Sequence, residues 1–211
     1  CKKTNCSLIG GETAEMPNHY IGKNFDLAGF SVGIVEKKLI IDSSKVKKNN
    51  IIIGIESSGA HSNGYSLINK LIKESKLNKS EKERLVKLAL KPTHLYTNVI
   101  LDLIKKVKVK SIANITGGGL IENIPRSIPN TLSSEIYLNN WKMPPFFSNL
   151  KKLGKIQKSD MLRIFNCGIG MTLVIEPKDL DSTMEVLSKH KFKGYMIGRV
   201  INKSSSAITF L

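Results

Sequence analysis

The sequence has 211 residues, 41% of them hydrophobic, and a formal net charge of +16 at pH 7. This is the composition of a globular protein with one or two cores, and no apolar run approaches the roughly 18 residues of a membrane span. The three cysteines, Cys1, Cys6 and Cys167, form no C-x-x-C pair, which argues against a disulfide framework or zinc site and favours a reducing cytoplasm.

The positive charge makes a basic nucleic-acid-binding domain an alternative interpretation of the sequence. Lysine accounts for most of it, spread over polar positions, whereas arginine occurs only at Arg84, Arg126, Arg163 and Arg199. Aromatic residues make up only 6% of the chain, so few rings are available to stack on bases. We therefore interpret the charge as a lysine-covered solvent surface and expect no nucleic-acid partner.

The first part of the chain differs in pattern from the rest. An irregular stretch with Gly and Pro precedes residues 27–35, where small and apolar residues alternate and predict a strand. Residues 40–50 are polar and rich in lysine, which is typical of a linker. We accordingly divide the chain into a first segment at 1–39, a linker at 40–50 and a second domain at 51–211.

The second domain alternates strands and helices at uneven spacing. Hydrophobic periodicity predicts strands at 51–56, 111–115, 132–138, 168–175 and 194–200. It predicts helices beginning near Tyr65 and at 80–90, 95–107, 118–124, 144–153 and 177–189. This alternation favours an α+β fold, a mixed sheet with helices packed against it, over a doubly wound Rossmann sheet.

Residues 57–64 (SSGAHSNG) lie between a predicted strand and a predicted helix. Such a turn leaves backbone N–H groups and the positive end of the helix dipole directed at one point, which suits a phosphate. The spacing is neither that of a Walker loop nor that of a dinucleotide loop. A serine-capped helix with a glycine turn is the alternative interpretation.

A second turn of this kind contains three successive glycines, Gly117, Gly118 and Gly119, after Thr116. A tight turn that needs positive φ explains one glycine better than three. We therefore expect a second contact with an anion or with the edge of a substrate. We further expect the two turns to line one cleft, within about 15 Å of each other, the reach of one small nucleotide.

Five blocks occur in order along the chain. They are residues 10–17 (GGETAEMP), 26–30 (DLAGF), 57–65 (SSGAHSNGY), 116–126 (TGGGLIENIPR) and 165–171 (FNCGIGM). Together they resemble the phosphoribosylformylglycinamidine cyclo-ligase (AIR synthetase) family of purine biosynthesis, over about residues 6–199. Members of this family have a further N-terminal stretch that serves ATP. The resemblance therefore implies the C-terminal part of a longer enzyme, with residues 1–39 as the remnant of its N-terminal ATP-binding domain. It also implies that the enzyme is homodimeric when complete and that this part alone is inactive.

The resemblance implies a specific reaction and cofactors. ATP phosphorylates the formyl oxygen of formylglycinamidine ribonucleotide, and an amidine nitrogen then closes the ring to aminoimidazole ribonucleotide. ATP is expected to contact Gly10, Gly11, Glu12 and Thr13, with Glu12 also binding Mg²⁺, which prefers one or two carboxylates beside water and substrate oxygens. A helix-capping role is the alternative for Glu12.

The substrate is expected to lie against the two turns. His61 and Asn63 are the expected catalytic residues, although a surface-loop histidine is the plain alternative for His61. The serine hydroxyls are expected to donate hydrogen bonds to the substrate. The expected substrate-binding residues are Ser57, Ser58, Gly59, Ser62, Thr116, Gly117, Gly118, Gly119, Asn123 and Arg126. A bulky residue at Gly118, or Ala at Asn63, is expected to impair catalysis with thermal stability nearly unchanged.

Three positions depart from the family pattern. Asn114 stands where a histidine is usual, which puts an acid–base role there in doubt. His94 follows Pro-Thr where a basic residue is usual, and could replace that cation if protonated, and Asn69 stands where an arginine is common. The alternatives from other classes are the nucleic-acid binder, an N-terminal nucleophile hydrolase using Cys1, and a related ATP-dependent synthetase or kinase of the same fold.

Overall fold

A computed structural model describes all 211 residues, which divide into two units, Cys1–Ile40 and Ile41–Leu211. The first unit contains 3-10 turns at Lys2–Thr4 and Lys37–Leu39 and no other regular element. The strand predicted at 27–35 is wrong, since these residues are exposed and form no strand. A strand requires a neighbour to pair its backbone N–H and C=O groups, and the first unit contains no second strand.

The second unit is built on a six-stranded sheet in the order β2-β4-β1-β5-β3-β6. The strands are β1 (Ile51–Glu56), β2 (Ser111–Asn114), β3 (Leu132–Ile136), β4 (Ile169–Ile175), β5 (Gly194–Asn202) and β6 (Ile208–Phe210). Neighbouring strands are antiparallel except for the parallel pair β3 and β6. The prediction of a mixed sheet is therefore confirmed.

Seven α-helices pack against this sheet. They are α1 (Tyr65–Glu74), α2 (Lys79–Ala89), α3 (Thr97–Lys106), α4 (Gly119–Arg126), α5 (Pro145–Leu153), α6 (Lys158–Ile164) and α7 (Leu180–Lys189). The apolar side chains of α3 and α7 share one core with one face of the sheet. Those of the other helices share a second core with the opposite face. No helix is both long enough and apolar enough to cross a membrane.

The central strand β1 explains why the sheet is covered on both faces. Ile52 belongs to the core beneath α1, α2, α4, α5 and α6, whereas Ile53 and Ile55 belong to the core beneath α3 and α7. Burial on both faces accounts for the unbroken apolar run that predicted this strand. Gly54 fits closely packed surroundings, because an ideal Cβ atom there would lie 2.9 Å from Cδ1 of Ile169, and that side chain would have to shift.

Two elements were not predicted, α6 and β6. The helix α6 has seven residues, too few to repeat an apolar pattern, and β6 has three, which take their place through pairing with β3. Residues of the second unit that precede β1 also pack into it. Val46 is buried in its core, and the backbone N–H of Asn49 donates to the carbonyl of Val200.

Candidate functional site

The sheet topology brings three connecting segments to one edge. Strands β1 and β2 both pair antiparallel to β4, one on each side of it. They therefore run in the same direction, and their carboxyl ends meet where β4 begins. We call residues 57–63, after β1, the serine loop, residues 116–119, after β2, the glycine loop, and residues 165–168, before β4, the asparagine turn. Backbone bonds join the serine loop to the asparagine turn, with the N–H of Ser57 2.9 Å from the carbonyl of Gly168.

The serine loop and the glycine loop lie side by side. An ideal Cβ atom at Gly117 would be 3.7 Å from Oδ1 of Asn63. The side chain of Asn63 is held there because its Nδ2 donates to the carbonyl of His61 at 2.6 Å. This contact is far inside the 15 Å limit set for a shared cleft, so the geometry supports the expectation that one ligand can reach both loops.

Each loop contains two successive residues in the left-handed region. In the serine loop these are His61, with φ of 51°, and Ser62, with φ of 60°. In the glycine loop they are Gly118, at 91°, and Gly119, at 55°. A non-glycine residue in this region costs roughly 1–2 kcal/mol, so the serine loop is held by its surroundings. Strain of this kind clusters at functional sites.

Asn166 in the asparagine turn supplies that support. Its side chain is 2% exposed. Its Nδ2 donates to the carbonyl of Gly59 at 2.8 Å, and its Oδ1 accepts from the N–H of Gly168 at 2.9 Å. Sequence reasoning did not select this residue, although it lies within the fifth block, where the signal was a polar residue between apolar neighbours. It holds the serine loop in place on β4.

The two serine hydroxyls that were expected to donate to a ligand donate within the protein. Oγ of Ser57 donates to Oδ1 of Asn166 at 2.8 Å, and Oγ of Ser58 donates to the carbonyl of Pro92 at 2.6 Å. A hydroxyl has one hydrogen, so neither of these two retains a hydrogen for an external acceptor. Ser62, by contrast, is exposed.

The His61 ring faces the interior, with only 5% of the residue exposed. Its Nε2 accepts from the backbone N–H of Ser58 at 3.0 Å, and its Nδ1 is buried without a hydrogen-bond partner. Burial, and secondarily the charge that His94 can carry, lower the pKa of His61 to about 4. The ring is therefore neutral near pH 7, with its hydrogen on Nδ1, and its Nε2 contributes to the shape of the serine loop.

Aromatic rings enclose His61 on one side. The rings of His94 and Tyr96 each lie 6.0 Å from it, and Phe192 packs on both. The Tyr96 hydroxyl donates to the carbonyl of Glu56 at 2.7 Å. Burial lowers the pKa of His94, so the protonated form proposed to replace a missing cation is disfavoured.

The buried side chain of Asn123 holds the glycine loop through hydrogen bonds to its backbone carbonyls. Only 5% of the residue is exposed. Its Nδ2 donates to the carbonyls of Gly119 at 2.8 Å and of Gly117 at 3.1 Å. The side-chain amide that was expected to face the cleft thus faces these carbonyls. Because a peptide N–H points opposite to its C=O, the N–H groups of Gly118 and Leu120 point away from Asn123. The N–H of Gly119 donates within the loop, to the carbonyl of Thr116.

Arg126 lies at the far end of α4 on the protein surface. Its Nη2 is 3.3 Å from Oε2 of Glu122, and the two side chains are 66% and 43% exposed. An exposed pair of this kind contributes about 0–1 kcal/mol, so it does not prevent the guanidinium from binding a phosphate. A cavity of about 200 Å³ lies beside it, lined also by Asn114 and Asn123.

The residues expected to bind ATP lie in the other unit. Gly10, Gly11, Glu12 and Thr13 are all exposed, and no atom lies within 4 Å of an ideal Cβ at either glycine. No group of three or more His, Cys, Asp and Glu side chains in the chain is arranged to hold a metal ion. The carboxylate of Glu12 is one ligand of the kind Mg²⁺ takes.

Comparison with known proteins supplies an independent line of information. Residues 47–210 match the family model described as AIR synthase related protein, C-terminal domain. A phosphoribosylformylglycinamidine cyclo-ligase from Acetivibrio thermocellus is 46% identical over 207 residues, covering 96% of this chain and 61% of that protein. One from Bacillus cytotoxicus is 43% identical over 213 residues, covering 98% and 61%. The chain thus spans about three-fifths of the length of these relatives.

Solved structures with a similar fold are more distant in sequence. A thiamine-monophosphate kinase from Stenotrophomonas maltophilia has a TM-score of 0.58 at 12% identity, covering 83% of this chain and 54% of that one. PurLQS from Thermotoga maritima has a TM-score of 0.56 at 14% identity, covering 84% and 26%. HypE, a hydrogenase maturation protein from E. coli, has a TM-score of 0.54 at 16% identity, covering 80% and 47%. At these identities the likeness shows a shared fold.

Proposed function

Because the chain belongs to the AIR synthase related protein family, we propose that it provides the substrate-binding domain of a phosphoribosylformylglycinamidine cyclo-ligase. The relatives that carry this name match nearly the whole chain. The reaction is the ATP-dependent closure of formylglycinamidine ribonucleotide to aminoimidazole ribonucleotide. The partners are this nucleotide and ATP, and the complete enzyme is a cytoplasmic homodimer.

The observation that carries the proposal is the proximity of the two loops, in which Oδ1 of Asn63 lies 3.7 Å from the position of an ideal Cβ atom at Gly117. It brings together two strand-to-helix turns, each followed by a helix whose first N–H groups have no partner within the helix. The positive ends of the two helix dipoles favour an anionic ligand. A nucleotide substrate carries a negative charge at its ribose phosphate. The formyl oxygen that is phosphorylated acquires a second negatively charged group during the reaction.

The residues of the cleft then divide into two kinds. Asn63 and the outward N–H groups of the glycine loop contact the substrate, and Arg126 is available to its phosphate. His61 and Asn123 do not contact the substrate but hold the loops in shape, because both are buried and bonded to the backbone of their own loops. We therefore propose His61 as a positioning residue for the serine loop.

ATP supplies the phosphoryl group, and Mg²⁺ neutralises charge on the phosphates when bound. The residues of this chain proposed for them are Gly10, Gly11, Thr13 and Glu12, whose carboxylate is the candidate ligand for the metal. Their support is the residue types in the first block and their exposure, since an exposed carboxylate beside glycines is accessible to an incoming nucleotide.

Two alternatives lead to different expectations. A related synthetase or kinase of the same fold would act on a substrate other than formylglycinamidine ribonucleotide. A nucleic-acid-binding domain would still bind nucleic acid at about 150 mM salt. A lysine-covered surface should bind nucleic acid only weakly, and moderate salt should abolish that binding.

A chimera tests the function of this chain. Residues 1–211 replace the matching part of the Acetivibrio thermocellus cyclo-ligase, and formation of aminoimidazole ribonucleotide is followed with and without ATP. The proposal predicts ATP-dependent product from the chimera and none from the 211-residue chain alone. A folded chimera that binds ATP but makes no product would contradict the proposal.

A further inference from the structure

We infer that the serine loop recognises the amidine end of the substrate, through Ser57 and Ser58 acting as hydrogen-bond acceptors only. The inference rests on the proposed function and adds to it a specific assignment. It identifies which part of the substrate these two side chains contact, and it makes Ser57 a specificity-determining residue. The observation that supports the inference is that both hydroxyl hydrogens are donated to acceptors inside the protein.

The acceptor role of Ser57 follows from the orientation of Asn166. The N–H of Gly168 can only donate, so the atom of Asn166 that it contacts at 2.9 Å is the oxygen. The carbonyl of Gly59 can only accept, so the atom at 2.8 Å from it is the nitrogen. Ser57 contacts the oxygen, at 2.8 Å. Its hydroxyl must therefore donate to Asn166, and only its lone pairs remain for a ligand.

The hydroxyl of Ser58 is also left with only its lone pairs, for a different reason. Its Oγ lies 2.6 Å from the carbonyl of Pro92 and 2.9 Å from Nε2 of His61. That Nε2 already accepts from the backbone N–H of Ser58, so it carries no hydrogen. Both neighbours of the hydroxyl are thus acceptors, and whichever receives its hydrogen, none is left for a ligand.

The two serines open on a small cavity of about 170 Å³. This is below the roughly 300–1,000 Å³ of a site that encloses a whole small molecule, so the cavity suits one end of a ligand. Pro145 and Phe147 provide apolar walls, and Lys91 is its one charged residue. A nearby cation disfavours a second positive charge, so the cavity favours a neutral group that carries N–H.

An amidine in its neutral form meets these requirements. It carries N–H groups that can donate to the lone pairs of the serines, and its nitrogen is nucleophilic only when it is not protonated. The corresponding amide has a carbonyl oxygen in place of that nitrogen. An oxygen facing two acceptor-only hydroxyls finds no hydrogen-bond donor and leaves them unpaired, which costs affinity.

The test compares two nucleotides that differ at this one group. Binding of formylglycinamidine ribonucleotide and of formylglycinamide ribonucleotide is measured by titration calorimetry for the 211-residue chain and for Ser57→Ala. The chain should bind the amidine roughly three- to tenfold more tightly than the amide, the effect of one hydrogen bond. Ser57→Ala should reduce this ratio, and Ser57→Ala combined with Ser58→Ala should bring it to near one. Ser182→Ala, an exposed serine on α7, is the matched control and should leave the ratio unchanged.

The outcomes separate this inference from the proposed function. Equal binding of both nucleotides by the unaltered chain, or a preference that Ser57→Ala leaves unchanged, would overturn the assignment while leaving the substrate cleft intact. Absence of binding for both nucleotides would contradict the proposed function, and the assignment that rests on it would fail with it.

Discussion

The side-chain oxygen of Asn63 lies beside Gly117, 3.7 Å from the position of an ideal Cβ atom there. Each residue belongs to a different strand-to-helix turn, so this proximity places two separate loops side by side in one surface. It is a consequence of the sheet order, in which β4 separates β1 from β2 and makes them parallel.

Replacement of Asn63 by alanine tests the role of that surface in catalysis. In the chimera with the Acetivibrio thermocellus enzyme, we expect Asn63→Ala to raise the activation free energy by about 2–4 kcal/mol, the effect of one lost donor at a developing negative charge. Steady-state kinetics provides the measurement. The free energy of unfolding should fall by only about 1 kcal/mol, because one side-chain bond is lost. A variant with unchanged kcat/KM would remove Asn63 from the site.

Gly118→Ala should destabilise the fold. Gly118 has φ of 91°, and an ideal Cβ there would lie 2.7 Å from Cβ of Glu122. We expect the free energy of unfolding in urea to fall by about 1–2 kcal/mol. The expectation of nearly unchanged thermal stability therefore does not hold at this position, because the backbone conformation itself requires glycine.

Gly117→Ala is the matched control for Gly118. Gly117 has no positive φ, and its nearest neighbour would be at an ordinary contact distance. We expect its unfolding free energy to stay within about 0.5 kcal/mol of the unaltered chain. Equal destabilisation by the two substitutions would show that the glycine loop is sensitive to bulk and that φ is not the cause.

Asn166→Ala should be among the more harmful polar substitutions in this protein. It removes a buried side chain bonded to Ser57, Gly59 and Gly168 and leaves a buried carbonyl and N–H without partners. We expect a loss of about 2–4 kcal/mol of unfolding free energy. Asn140→Ala, which removes one exposed bond to the carbonyl of Met196, should cost about 1 kcal/mol or less. Comparable losses for both would refute the structural role of Asn166.

The sequence predicted the sheet and most of its helices because β1 and the amphipathic helices carry strong periodic signals. The sites of the two loops were also predictable, since strand, small residues and helix follow each other in the sequence. The direction of the side chains was not. The hydrogen of Ser57 points to Asn166, a partner 109 residues away in the chain. The partners of Asn123 are near in sequence, but a linear pattern does not specify whether its amide faces them or the cleft.

The pH dependence of stability should report the burial of His61. Its folded-state pKa of about 4 lies below the ordinary value of 6.5, so the unfolded chain binds the proton first as the pH falls. The contribution of the neutral His61 ring to the free energy of unfolding is therefore fully present above pH 6.5, and it is lost as the pH falls toward 4. Between pH 7 and 5 this loss amounts to about 2 kcal/mol.

His61→Asn provides the comparison, because asparagine tolerates the positive φ of this position and does not titrate. Urea denaturation at several pH values should show a shallower decline for this variant over pH 7 to 5. An NMR titration of the unaltered chain should place the His61 transition near pH 4. A transition near 6.5 would mean that the ring is accessible to water.

The central claim is that the serine loop and the glycine loop bind one substrate together, and amide NMR of the 211-residue chain tests it most directly. Formylglycinamidine ribonucleotide is titrated into labelled protein while the N–H signals of residues 57–63 and 116–121 are followed. The account predicts that both sets shift along one binding curve with a single Kd. Shifts confined to one loop, or in neither loop while another surface responds, would contradict the shared cleft.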